Sequence, residues 1–224
     1  MTFSLVARCH DTGQFGMAIS SSSPAVAARC AFARAGVGAA ATQNITNPAL
    51  GDLMLDLLAS GLQAEDAVAE AVRQEKFPEY RQLLCVDSEG RTATWSGQNA
   101  LGIWGSAEGK GVAAGGNLLA DKTIPAAMVT VFENTAGHLG DRLLAAMQAA
   151  LDLGGEAGPV HSAGLLIVGA HPWPLAELRC DWEEGDPIAH IVHAWEVYKP
   201  QMAAYQTRAI DPRAAPSYGV AGEK

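Results

Sequence analysis

Thr2-Phe-Ser-Leu-Val-Ala-Arg-Cys9 and Gln14-Phe-Gly-Met-Ala-Ile-Ser-Ser21, joined by His10-Asp-Thr-Gly13, decide how the rest of the chain folds. In the first segment Phe3, Leu5, Ala7 and Cys9 fall on one face, and Thr2, Ser4, Val6 and Arg8 on the other. That period of two is the signature of a strand. In the second, Phe15, Met17 and Ile19 share a face, while Gly16, Ala18 and Ser20 line the opposite one with little bulk. Asp11-Thr-Gly13 supplies the turn. The prediction is a β-hairpin at the head of the chain. Neither strand carries a strongly polar face, so both sides should be covered.

The segments downstream say what covers them. The run 36–43 is small and apolar, too rich in Gly for a helix, and suits a buried strand where backbones approach closely. Asn47 reads as an N-cap with Pro48 at the first helical position. Leu50, Leu53, Met54, Leu57 and Leu58 then form an amphipathic stripe that Gly61 closes. A second helix is predicted over 64–74, a second hairpin over 80–86 and 91–96, and short strands over 100–104 and 111–114. Gly115-Gly-Asn117 reads as a tight turn that brings a carboxamide close to another chain segment. Helices over 125–134 and 139–153, strands over 161–170 and 175–182, and a helix capped by Asp186-Pro187 and interrupted at Pro200 complete the series. Blocks of strands alternating with helix pairs predict an α+β fold: a four-layer α-β-β-α sandwich of two stacked, mainly antiparallel sheets. Residues 1–210 should form one domain and 211–224 a tail.

Composition excludes several function classes. A net charge of -9 argues against nucleic acid and anionic membrane surfaces, both of which select basic patches. There is no apolar run long enough for a spanning helix and no basic-then-apolar leader, so the expected location is cytoplasmic. Cys9, Cys30, Cys85 and Cys180 are widely spaced and read as small buried hydrophobes, neither disulfide framework nor metal site. His190, His193 and Glu196 recur on one helix face, but without a HExxH spacing or a third ligand they read as a solvated face; no metal and no cofactor is expected.

The candidate chemistry begins at Thr2. Were Met1 removed, Thr2 would carry its own base, an α-amine that titrates at about 7.7–8.0. A threonine hydroxyl and an N-terminal amine form a single-residue nucleophile–base couple. Ser21, Ser22 and Ser23, in a serine cluster at the end of the return strand, are placed to hydrogen-bond that amine or hydroxyl. Arg29 or Arg34 could keep the amine unprotonated by like-charge repulsion. Thr42, Gln43 and Asn44, at a strand end facing a helix start, could polarise a carbonyl oxygen, and Asn117 could hold substrate or the oxyanion.

Together, residues 2–8, Gly16-Met-Ala-Ile-Ser-Ser-Ser-Ser-Pro-Ala-Val26, Arg34-Ala-Gly-Val-Gly38, Ala41-Thr-Gln43 with Asn47-Pro48, and Gly116-Asn-Leu-Leu-Ala120 resemble the DUF1028 family, which is grouped with the N-terminal-nucleophile (Ntn) hydrolases. The resemblance runs over nearly the whole chain. It implies the α-β-β-α fold and hydrolysis of an amide bond by a terminal Thr, Ser or Cys, and here Thr2 occupies that place. Several relatives in the superfamily keep a lysine near the head of the fold, where this sequence has Arg29 or Arg34 to serve instead. The expected function is therefore cleavage of a C–N amide or ureide bond in a small-molecule substrate, with Thr2, Asn44 and Asn117 as catalytic residues. The alternative is a non-catalytic small-molecule-binding protein on the same fold with Met1 retained. Apolar helix surface leaves room for a homodimer.

Overall fold

The computed structural model describes residues 2–220; Met1 and the last four positions of the expected tail, 221–224, lie outside the described residues. The hairpin forms as β1 (Thr2–Arg8) and β2 (Phe15–Ser21). One turn of helix, α1 (Ala27–Cys30), and β3 (Ala31–Arg34) lead into β4 (Gly38–Asn44). Helices α2 (Ala49–Ala59) and α3 (Ala64–Gln74) follow, then β5 (Arg81–Asp87), β6 (Thr92–Ser96), β7 (Gly105–Gly109) and β8 (Val112–Asn117). Next come α4 (Ile124–Asn134), α5 (Leu139–Asp152), β9 (Ser162–Val168), β10 (Pro174–Cys180), α6 (Pro187–Tyr198) and α7 (Met202–Ile210).

The strands make two sheets, one in the order β10-β9-β2-β1-β8-β7 and one in the order β3-β4-β5-β6. Every neighbouring pair among these strands is antiparallel. Alternation along β1 sorts its side chains between two cores. Phe3, Leu5 and Ala7 pack outward with Met128 of α4, Leu143 and Met147 of α5, and Trp195 of α6. Val6 turns inward, where it meets Phe15, Met17 and Ile19 of β2 and Ala39, Ala41, Leu84 and Val86 of the other sheet. On the far side of that sheet Ala40, Leu83 and Cys85 pack on Leu50 and Met54 of α2 and Ala67 and Val68 of α3. The result is the four-layer α-β-β-α sandwich, an α+β fold. Each large aliphatic or aromatic side chain buried in these layers contributes about 1.5–3 kcal/mol.

Two local expectations change, and one pair of elements is added. The short strand expected over 100–104 is loop, and β7 starts at Gly105, because Gly102 takes a left-handed turn with φ 59°. The pair Ala27–Cys30 and Ala31–Arg34 has too few residues for a periodicity to show. Gly115 and Gly116 do not form a turn: they lie inside β8, and the turn comes at Leu118, φ 49°. What Gly115 provides is closeness, since an added Cβ there would stand 3.2 Å from Leu84 Cδ2 of the facing sheet. All four cysteines are free and buried, and burial pushes the Cys85 thiol up to about 12. Among the described residues no helix is long and apolar enough to cross a membrane.

Candidate functional site

The space between the sheets changes character along its length. Near Phe15 and Val86 it is apolar; at the other end, where β1 begins, it is polar. The alternation that turns Val6 inward turns Ser4 and Thr2 inward as well. Ser4 Oγ donates across the gap to Gln43 Oε1 at 2.6 Å. Gln43 Nε2 donates to Gln82 Oε1 at 2.8 Å and to the Gly115 carbonyl at 3.2 Å. Gln82 Nε2 serves the Gly116 carbonyl (3.0 Å), the Gly105 carbonyl (3.3 Å) and Ser96 Oγ (3.0 Å). Ser4, Gln43, Gln82 and Asn117 are all buried.

These bonds fix every carboxamide in turn. Backbone carbonyls only accept, so they dictate which end of Gln82 is the amide nitrogen. Gln82 Oε1 must then receive donors, and Asn117 Nδ2 supplies one at 3.1 Å. Asn117 Oδ1 is consequently the end turned away from Gln82. It is fully buried, and among the described residues no donor reaches it. A buried acceptor left without a partner costs about 1–3 kcal/mol.

Thr2 is the cross-strand partner of Asn117, which puts the two side chains on one face roughly 5 Å apart at Cβ. On its other flank Thr2 Oγ1 lies 3.5 Å from Ser21 Oγ, which also accepts the Ser23 N–H at 3.0 Å. Thr2 itself is 5% exposed.

A carboxylate completes the cluster. Glu156 sits in the link between α5 and β9, with its backbone in an isolated bridge to Leu119. Its two oxygens accept the Ser22 N–H at 3.1 and 3.2 Å. Leu119 lies just past the end of β8 and Ser22 just past the end of β2. The strand between those two is β1, so Glu156 spans the point where β1 begins. The side chain is 2% exposed. Burial pushes its carboxyl up to about 7, against the opposing pull of hydrogen bonds from Ser22 and the charge of His161. His161 is held by the Ser21 carbonyl through its backbone N–H, 2.8 Å, and its Nδ1 lies 2.9 Å from the Glu183 carbonyl.

The structure therefore gathers Thr2, Ser21, Ser22, Ser23, Gln43 and Asn117, and corrects the parts that some of them play. Asn117 offers an acceptor to this space, because its amide nitrogen is engaged by Gln82; it is not placed as an oxyanion donor. Thr42 faces the opposite way from Gln43, and its hydroxyl donates to the Asn47 carbonyl at 3.1 Å. Asn44, at φ 74°, has its side chain committed to two loops, donating to the Tyr80 carbonyl (2.6 Å) and accepting the Leu101 N–H (3.1 Å). Arg29 closes its own turn by donating to the Pro24 and Ala25 carbonyls at 2.6 and 3.1 Å. Arg34 is at the wrong end of the sandwich. It pairs with Gly38 in the sheet and with Asp56 at 2.8 Å; Gln43 lies five steps along the strand from Gly38, roughly 16 Å.

Sequence reasoning missed Gln82 and Glu156. A lone glutamine between apolar alternates of β5, on the face shared with Leu84, was the available signal for the first. For Glu156 the signal was an acid in a Gly154-Gly155 loop between two apolar elements. Among the described residues no group of three or more His, Cys, Asp or Glu side chains is placed to hold a metal ion.

The crystal structure of protein SPO2555 from Silicibacter pomeroyi superposes on this fold with a TM-score of 0.82 at 30% identity, covering 88% of each chain. More distantly, Anbu (ancestral beta-subunit) from Yersinia bercovieri matches at TM-score 0.39 and 11% identity over 91% of this chain and 97% of its own. The Anbu (Gly-1) mutant from Hyphomicrobium sp. strain MC1 matches at 0.41 and 14%, over 92% and 99%. No curated protein matches the chain. The family model for DUF1028, a family of unknown function, matches residues 2–191, a span that takes in both sheets and the whole candidate site, and the chain belongs to that family.

Proposed function

We propose that the chain, once Met1 is removed, is an Ntn-type amidohydrolase acting on a small-molecule amide or ureide with Thr2 as nucleophile. The observation that carries this reading is the place of Thr2. It is the first residue of a central strand, faces the gap between the sheets, and stands beside Ser21 and over a carboxamide network that fills no apolar purpose. In the first step Thr2 Oγ attacks the substrate carbonyl carbon, and the α-amine of Thr2 takes the hydroxyl proton. The amine then gives that proton to the leaving nitrogen as the C–N bond breaks, leaving an ester on Thr2. Water, deprotonated by the same amine, attacks the ester; the C–O bond breaks and Thr2 is restored. Removal of the methionine breaks the bond to the Thr2 nitrogen and frees it as an amine. A concavity of about 320 Å³ lined by Ile45, Phe77, Tyr80 and Arg81 opens two residues beyond Gln43 and suits an apolar part of the substrate.

The test has two arms. Intact-mass analysis of the native protein should find a chain lighter by one methionine. A screen of small amides, ureides and N-acyl compounds should find turnover that Thr2→Ala lowers by about 10⁴-fold or more, while Thr2→Ser retains it in part. Hydrolysis that survives Thr2→Ala removes Thr2 from the mechanism. A retained Met1 together with tight, unproductive ligand binding would make the protein a binding module instead.

A further inference from the structure

We propose, on the hydrolase reading above, that Glu156 is the counter-ion of the mature α-ammonium: its carboxylate accepts hydrogen bonds from the Thr2 nitrogen and holds it over the Thr2 hydroxyl. Glu156 is then a positioning residue for the base. Its backbone is bridged to Leu119, beyond β8, and its side chain reaches Ser22, beyond β2. The Thr2 nitrogen leaves the sheet from β1, between those two points.

The donor count agrees. Among the described residues both carboxylate oxygens are served by Ser22, through its backbone N–H and its side chain, and Asn117 Oδ1, buried next to Thr2, receives no donor. A cluster with this surplus of buried acceptors is short of N–H groups, and an α-ammonium brings three. The arginines suggested as amine-tuning groups are engaged elsewhere: Arg29 with its own turn and Arg34 with Asp56. The electrostatic environment of the amine is therefore set by an anion rather than a cation. Among the described residues the titratable group facing Glu156 is His161, which approaches from the segment leading into β9 and stacks on Trp182 with ring centroids 4.5 Å apart.

The sign follows. A carboxylate within about 4–6 Å favours the charged ammonium, so the amine titrates higher with Glu156 present than without it. Removing the charge leaves a desolvated amine, which loses its proton more readily.

The experiment uses full-length protein released from a ubiquitin fusion so that Thr2 is the first residue whatever processing the cell performs. Isotope-labelled threonine lets the Thr2 Cα resonance report the amine titration without relying on activity. Wild-type amine should titrate at or above the ordinary 7.7–8.0, despite burial. Glu156→Gln keeps the shape and the acceptor for the Ser22 N–H. It should lower the amine midpoint by about one pH unit or more, and the acid limb of kcat/KM should move down with it, a gain of about tenfold in free amine well below the midpoint. A wild-type midpoint well below 7, or the same midpoint in both proteins, overturns the pairing. If the midpoint moves yet Thr2→Ala changes no activity, the pairing stands and the hydrolase reading falls. If activity depends on Thr2 while the midpoint stays fixed, only the pairing falls.

Discussion

The two ends of the space between the sheets both draw on β2, β4 and β5 and are filled in opposite ways. At the far end Phe15, Ala39, Val86 and Val168 close an apolar core. At the near end Thr2, Ser4, Ser21, Gln43, Gln82 and Asn117 are equally buried but polar. For stability alone, apolar residues of the same volume would serve better, because a buried hydrogen bond returns little more than the desolvation of its partners. One acceptor, Asn117 Oδ1, is not compensated at all. The contrast says that the near end is organised for something other than holding the sheets together. It also says that the far end is what holds them.

Substitutions at the two ends should therefore separate stability from activity. The largest loss of stability is expected at the far end. Phe15 is 2% exposed and its ring sits in the inter-sheet core. Phe15→Ala should cost about 3–5 kcal/mol in denaturant unfolding, with turnover per folded molecule within about twofold of wild type. An equal collapse of turnover in the folded fraction would mean that the two ends are mechanically one. Gln82→Leu should cost less, about 2–3 kcal/mol, because it strands the Asn117 amide and the Gly116 carbonyl while filling its own volume. Its effect on catalysis should be the greater one, a fall of at least tenfold in kcat with the fold intact by circular dichroism. Unchanged kcat would reduce the network to scaffolding.

The half of this contrast that was readable from the sequence is the half encoded locally. Period-2 alternation in β1 and β2 assigned each side chain to a face, and with it put Thr2 and Ser4 on the same side as Val6. Helix α3 lies over 64–74 as its spacing predicts, and α2 and α5 fall within about two residues of theirs, because their apolar stripes and caps are local too. The near end depends on long-range closures that no short pattern carries. Ser22 meets Glu156 across 134 residues, and Gln43 meets Gln82 across 39. Arg34 shows the converse: its charge suggested a place beside the amine. Strand β3 instead carries it away from Thr2, as the pairing of Arg34 with Gly38 requires. The direction of the Asn117 amide is equally out of reach of a short pattern, since it is decided by Gln82, and Gln82 in turn by two backbone carbonyls.

That orientation makes Asn117 the finest probe of the comparison, with the smallest expected change in stability. Asn117→Leu removes the uncompensated acceptor along with one donor to Gln82 Oε1, which keeps its bond from Gln43. The two effects oppose each other, so unfolding free energy should change by no more than about 1 kcal/mol in either direction. Turnover should nevertheless fall by at least tenfold, since an N–H of the substrate or of the Thr2 amine loses the acceptor that faces it. Were Asn117 a purely structural group, the pattern would invert. Stability would drop by several kcal/mol as a satisfied polar group was lost, and activity in the folded fraction would be untouched. Measured side by side with Gln82→Leu, the variant also tests the chain of orientation. If Gln82 dictates which atom of Asn117 faces Thr2, the double variant should lose no more activity than the worse single one, because both act on the same acceptor.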